Sequence, residues 1–197
     1  MMFEVTQEGW LKVPVTKDEK DRCKVVGQQR THYQKVVKGN VDNPEYAGKN
    51  FRVMGADQDA LGVMAEMAVV KAMGLPTFDL GNWSYYVEDN RYKLPEIMWF
   101  LEVRRVNSSG NPLKVFRKDV RDNALNVKTY IDFEAENGRV FSFKPYVYIQ
   151  GWREAVRGFD IGQYISNDLR HVYKLEEPET LMEAFYSRLG FGYEMAA

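Results

Sequence analysis

The chain has 197 residues, of which 45% are hydrophobic and 28% charged, with a formal net charge of −1 and a single cysteine. This length and apolar content fit one globular domain over residues 1–197, because a single core commonly extends to about 200 residues. The near-neutral charge excludes a general attraction to nucleic acid, and the lone Cys23 excludes an intramolecular disulfide and a cysteine zinc cage. The absence of a long apolar run and of a signal-peptide pattern predicts a cytoplasmic protein.

The N-terminal segment predicts one strand followed by a capped helix. Residues 3–15 alternate loosely and contain Pro14, which predicts an edge strand because proline cannot donate to a central ladder. Thr16 and Glu19 have the spacing of a capping box, and apolar residues then recur at helical intervals. We therefore expect a first helix over about 17–38.

A second helix is predicted after a long glycine- and asparagine-containing loop over residues 39–56. Asp57 or Asp59 can cap its start, and Gly74 followed by Pro76 gives a glycine stop.

The rest of the chain changes to strand patterning and ends in a third helix. Asn137-Gly138 lies between alternating segments and predicts a hairpin, and a final helix is expected from about Pro178 to Gly190. The whole pattern predicts an α/β (α+β) domain. The strands are expected at residues 83–87, 97–106, 113–116, 127–133 and 140–149.

Glu66 is the first candidate functional residue, because it shares a face of the second helix with apolar side chains. Burial of an unpaired carboxylate costs several kcal/mol, so such a residue needs a hydrogen-bond partner, a metal or a raised pKa. A neighbouring arginine is the structural alternative.

Glu102 and Arg104 are the second candidate pair, at the end of the otherwise apolar strand 97–106. Strand alternation places them on one face and Val103 and Arg105 on the other. The pair has the chemistry to ligate a divalent metal and hold a phosphate oxygen, or it forms a plain ion pair.

A local basic stretch is the candidate nucleic-acid contact, although a solvated charged face is the alternative. Asp119 is the acidic residue that interrupts it. Its cations are Arg104, Arg105, Lys114, Arg117, Lys118 and Arg121.

The order of these motifs over about residues 55–155 resembles many phage and bacterial members of the PD-(D/E)XK nuclease superfamily. The resemblance implies a restriction-endonuclease-like mixed central β-sheet flanked by helices. The matching motifs are Gly62-Val-Met-Ala-Glu66, Lys71-Ala-Met-Gly-Leu-Pro76, Glu102-Val103-Arg104, Leu113-Lys-Val-Phe116, Asp119-Val-Arg-Asp122 and Gly151-Trp152.

By this resemblance Glu102 corresponds to the catalytic-strand acid and Glu66 to the helix glutamate that helps to hold the metal. We therefore expect the two carboxylates within metal-sharing distance, with Mg²⁺ or Mn²⁺ as the cofactor. Arg104 stands where the family has lysine, and arginine stays charged and mainly orients phosphate rather than moving protons.

The family aspartate has three candidates upstream of the catalytic strand. Glu96 is the first, because it shares strand parity with Glu102; Asp79 and Asp89 are the others. The metal set expected from the resemblance is thus Glu66, Glu96 and Glu102.

The expected function is a metal-dependent nuclease that hydrolyses DNA phosphodiester bonds. The alternative is a catalytically degenerate relative that binds nucleic acid or a protein partner as an accessory protein, and a homodimer is left open. His32 and His171 lack the spacing of a histidine zinc site.

Overall fold

The computed structural model describes residues 3–32, 55–75, 101–121, 123–136 and 139–188. These residues form a mixed α/β fold, as the sequence predicts. The helices of this part are α1 (Lys17–His32), α2 (Gly55–Ala72), α3 (Ala155–Ile161) and α4 (Thr180–Arg188), and a short 3₁₀ helix covers Arg117–Asp119.

The strands form one mixed sheet, a smaller sheet and a separate hairpin. The strands are β1 (Glu4–Val5), β2 (Leu11–Pro14), β3 (Leu101–Val106), β4 (Leu113–Phe116), β5 (Leu125–Tyr130), β6 (Phe133–Glu136), β7 (Arg139–Phe143), β8 (Tyr146–Glu154), β9 (Gln163–Ser166) and β10 (Leu169–Val172). The main sheet has the order β1-β2-β8-β5-β3, in which β3 and β5 are parallel and the other pairs antiparallel. The smaller sheet has the order β4-β10-β9.

The predicted N-terminal edge strand over residues 3–15 forms two strands: β1 lies at the edge of the main sheet, whereas β2, which contains Pro14, is interior. β2 lies between β1 and β8, and its Pro14 pairs with Tyr146. The short β1 pairs only with Leu11 and Lys12, so Pro14 lies beyond its end. Because β1 does not extend as far as Pro14, the missing proline N–H breaks no hydrogen bond between β1 and β2. An interior strand can therefore contain proline at this position.

α1 begins at the predicted capping box. The backbone N–H of Glu19 donates to Thr16 Oγ1 at 3.2 Å, and the backbone N–H of Thr16 donates to Glu19 Oε2 at 2.7 Å. Two otherwise orphaned donors at the helix start are satisfied by this exchange. The predicted continuation of this helix to residue 38 lies outside the described residues.

The two faces of the main sheet differ in chemistry. Leu101, Val103, Leu125 and Val127 share a face and join α1 and α2 in the main hydrophobic core. Glu102 and Arg104 alternate to the other face, beside Asn126 and Lys128 of β5. The smaller sheet and its loops cover this polar face, since Lys128 Nζ donates to the carbonyl oxygen of Ser109 at 3.0 Å.

The predicted hairpin is confirmed by the antiparallel pairing of β6 with β7 on either side of Asn137-Gly138. The predicted strand 83–87 and the first part of strand 97–106 lie outside the described residues. In the described part of the chain, no helix combines the length and apolar character needed to cross a membrane.

Candidate functional site

The candidate site consists of two acids that share one arginine nitrogen. Arg104 Nη2 lies 2.6 Å from Glu102 Oε1 and 2.5 Å from Asp119 Oδ2. Glu102 and Arg104 come from β3, and Asp119 from the 3₁₀ helix that follows β4. Because both oxygens contact the same atom, the two carboxylates lie on either side of a single positive charge.

Burial makes ionisation of Glu102 unfavourable. Glu102 is 8% exposed, and its pKa is raised to about 7. Removal from water is the largest cause, the Arg104 charge acts in the opposite direction, and the Asp119 charge raises the pKa further. This carboxyl group therefore keeps its proton to a higher pH than an ordinary glutamate does.

Asn126 adds an unsatisfied amide beside the acids. It pairs with Glu102 in the parallel register of β3 and β5, so both side chains emerge on the same face. Asn126 is fully buried, and neither its amide nitrogen nor its amide oxygen has a hydrogen-bond partner among the described residues. Such buried polar atoms normally have a protein, water or ion partner.

Glu66 forms an ion pair with Arg30, which is the structural alternative to a metal-binding role that the sequence analysis considered. Its two carboxylate oxygens accept hydrogen bonds from Arg30 Nη1 and Nη2 at 2.7 and 2.6 Å, and both residues are buried between α1 and α2. Glu66 thus belongs to the helical layer, whereas Glu102 points to the face that the smaller sheet covers. The Glu66 charge nevertheless contributes to the raised pKa of Glu102. The structure does not bring Glu66 and Glu102 together, because Arg30 occupies both Glu66 oxygens and the two carboxylates lie on opposite faces of the main sheet.

The expected aspartate equivalents Glu96, Asp89 and Asp79 lie outside the described residues. Among the residues that are described, no group of three or more histidine, cysteine, aspartate or glutamate side chains is arranged to hold a metal ion. The place of Glu96 in the expected metal set therefore stays a prediction.

The basic stretch divides in the structure. Lys114, Arg117 and Lys118 are on and after β4 at the molecular surface, and we call these three residues the basic surface. Arg105 is half-buried: its guanidinium lies 5.7 Å from the centre of the buried Phe133 ring and donates to Asn107 Oδ1 at 3.0 Å, and partial removal from water lowers its pKa to about 10. Arg121 is half-buried.

The basic surface and the acids are electrostatically linked. The Lys118 charge lowers the pKa of Glu102, opposing the effect of burial. A polyanion held by Lys118 would therefore lie near the acid pair.

Sequence reasoning does not identify Asp119, Asn126 or Arg30 as site residues. In the sequence Asp119 interrupts the basic stretch and begins the Asp119-Val-Arg-Asp122 motif, but neither feature assigns it a role at the site. Asn126 joins Glu102 through a parallel pairing that local periodicity does not reveal. Comparison of the chain with protein-family models, curated proteins and solved structures gives no match.

Proposed function

We propose that the chain is a divalent-metal-dependent nuclease of the PD-(D/E)XK type that hydrolyses DNA phosphodiester bonds. The observation that carries this proposal is the buried pair Glu102 and Asp119, whose carboxylates flank one cationic nitrogen. Two ionised acids held together are stabilised by a cation between them, and a divalent ion supplies more charge than one guanidinium.

The donor set near Arg104 fits Mg²⁺ or Mn²⁺ in its chemistry. Glu102, Asp119 and the amide oxygen of Asn126 are hard oxygen donors, and Asn126 has no partner among the described residues. Magnesium is commonly bound by one or two carboxylates, with water completing its coordination. A metal bound there would lower the pKa of an attacking water and neutralise phosphate charge.

Arg104 has two roles in this proposal. In the structure its Nη2 atom lies between the acids, so it stabilises the metal-free protein. With a divalent ion held by Glu102 and Asp119, the Arg104 guanidinium would be available to a phosphate bound beside it, where its charge would stabilise the developing negative charge. Arg104 stays protonated throughout, so no proton transfer is assigned to it.

The basic surface supplies the DNA contact. Lys114, Arg117 and Lys118 form it, and the Lys118 charge acts on the catalytic-strand acid. Phosphate contacts of this kind position a duplex without reading its sequence.

A plasmid-nicking assay with Mg²⁺ or Mn²⁺ tests the proposal. Glu102→Gln and Asp119→Asn each keep side-chain size but remove a charged ligand, so each should reduce nicking at least 100-fold. Glu183→Gln, an exposed glutamate of α4, should nick at the parent rate. Parent protein that nicks no plasmid with either metal, or Asp119→Asn with full activity, contradicts the proposal.

A second candidate function is a degenerate relative that binds nucleic acid or a protein partner without cleavage. It is favoured by the fact that Arg30 and Arg104 already contact the carboxylates of Glu66 and Glu102. In that case DNA binding should be independent of divalent metal and should depend on the basic surface alone.

A further inference from the structure

The smaller sheet has one buried face and one face turned to solvent. Leu113, Val115 and Val172 are almost completely buried and form a second hydrophobic cluster. Side chains alternate along a strand, so the residues between these positions emerge on the opposite side, which we call the outer face. Its strand positions are all exposed or half-buried. They are Lys114, Phe116, Gln163, Ser166, Leu169 and His171.

The outer face combines positive charge with aromatic rings. Lys114 lies directly opposite His171 in the pairing of β4 with β10, and Phe116 is two residues further along β4. Val172 faces the buried cluster, so alternation directs the next residue, Tyr173, outwards, and Tyr173 is 65% exposed. None of the strand positions of the outer face is aspartate or glutamate. The local charge is therefore positive, although the whole chain carries a net charge of −1.

The outer face is continuous with the acid pair. The centre of the Phe116 ring lies 5.3 Å from Arg104 Cζ and 6.0 Å from Lys118 Nζ. Arg104 in turn contacts the carboxylates of Glu102 and Asp119. A chain molecule that crosses the outer face as far as Phe116 is therefore next to the two acids.

We propose that the outer face binds a single strand of DNA and directs it to the acid pair. Unpaired bases stack on aromatic side chains, while neighbouring cations contact the phosphates of the same strand. In a duplex the bases are stacked on one another and paired, so these residues could contact its phosphates alone. The choice of DNA and the direction towards the acids rest on the proposed function, whereas the preference for an unpaired strand rests on the outer face itself.

Fluorescence anisotropy of the full chain without divalent metal tests this proposal. The probes are a labelled oligothymidylate of about 20 nucleotides and a duplex of about the same length, and we expect the single strand to bind more tightly. Tyr173→Ala removes a stacking ring and keeps every charge. It should weaken single-strand binding by about fivefold or more and leave duplex binding and the salt dependence unchanged. Lys114→Gln should instead weaken the binding of both probes.

Tyr164→Ala is the matched control for Tyr173→Ala. Tyr164 is 61% exposed, but it pairs with Arg170 on the other side of the sheet, and the Arg170 guanidinium lies 4.7 Å from the centre of its ring. This variant should bind the single strand as the parent does, and thermal denaturation checks that both tyrosine variants fold.

A duplex that binds as tightly as the single strand overturns the proposal, and so does equal weakening by the two tyrosine substitutions. Tighter binding of an oligouridylate of the same length would overturn the assignment to DNA. Because binding is measured without metal, a protein that nicks no plasmid can still show this preference. A failure of single-strand binding likewise leaves the plasmid-nicking result unchanged.

Discussion

Glu102 and Asp119 contact the same nitrogen of Arg104. Burial opposes the ionisation of Glu102. Its folded-state pKa of about 7 lies above the ordinary glutamate value of 4.5. The folded protein therefore binds more protons than the unfolded chain between these two values. The resulting contribution to stability, about 3 kcal/mol in full, is complete below about pH 4.5 and is lost as the pH rises through about 7.

Glu102→Gln should therefore stabilise the metal-free protein at pH 8 and have little stabilising effect at pH 5. The neutral amide removes the ionisation penalty, while Asp119 still contacts Arg104 and keeps that guanidinium paired. We expect a gain of about 1–3 kcal/mol at pH 8, measured by urea denaturation at both pH values. Glu183→Gln, at an exposed position, is the control and should change stability by less than about 0.5 kcal/mol.

A purely structural ion pair predicts the opposite sign. Removal of one partner of a buried pair typically costs about 3–5 kcal/mol. A strong decrease in the stability of Glu102→Gln at pH 8 would therefore show that Glu102 has a structural role.

At the scale of elements, the helical layer depends on one close approach. A Cβ added to Gly27 of α1 would lie 2.5 Å from the backbone nitrogen and 2.7 Å from the Cα of Ala60 in α2. Backbone atoms of a helix cannot move aside individually, whereas a flexible side chain can change its rotamer. The separation of α1 from α2, and with it the Arg30–Glu66 pair, thus depends on glycine at this position.

Gly27→Ala should destabilise the protein by about 2–3 kcal/mol, because the helices must separate to admit the methyl group. Gly62→Ala is the matched control in α2, since a Cβ there meets no atom within 4 Å. It should be neutral or stabilising by up to about 1 kcal/mol, because alanine favours helix more than glycine. Thermal denaturation measures both, and equal effects of the two substitutions would contradict the close-approach argument.

Local patterns predict most of the described elements, but not their long-range partners. The Thr16–Glu19 capping box and the Asn137-Gly138 hairpin depend on neighbours in sequence, and both are confirmed. The interior position of β2 depends on its pairing with β8, which is distant in the chain. The presence of Pro14 does not predict that pairing. Glu102 is recognisable as a charge on an apolar strand, whereas Asp119 and Asn126 reach it through tertiary packing.

At the scale of the whole molecule, a net charge of −1 requires that any nucleic-acid contact be local. The surface cations Lys114, Arg117 and Lys118 are the residues placed to make it. Arg105 is half-buried beside Phe133 and hydrogen-bonded to Asn107, so it is expected to contribute less than these three residues.

Neutralisation of Arg117, Lys118 and Arg121 together should weaken duplex binding. The slope of log affinity against log salt should become shallower by about 0.9 for each phosphate that the variant no longer neutralises. Arg121 is half-buried, so most of the effect should remain in a double variant of Arg117 and Lys118. Fluorescence anisotropy at several salt concentrations measures both quantities, and an unchanged affinity and slope would leave these residues as a solvated face.

The central claim is that Glu102 and Asp119 hold a divalent cation, and thermal denaturation at pH 8 with and without Mg²⁺ or Mn²⁺ tests it most directly. A metal at about 100 times its Kd should stabilise the parent by about 2.7 kcal/mol, or about 5–10 °C in Tm for a chain of this size. Glu102→Gln and Asp119→Asn should show no such shift. A parent Tm that neither metal raises, together with a strongly destabilised Glu102→Gln variant, would contradict the metal site and assign both acids to the support of Arg104.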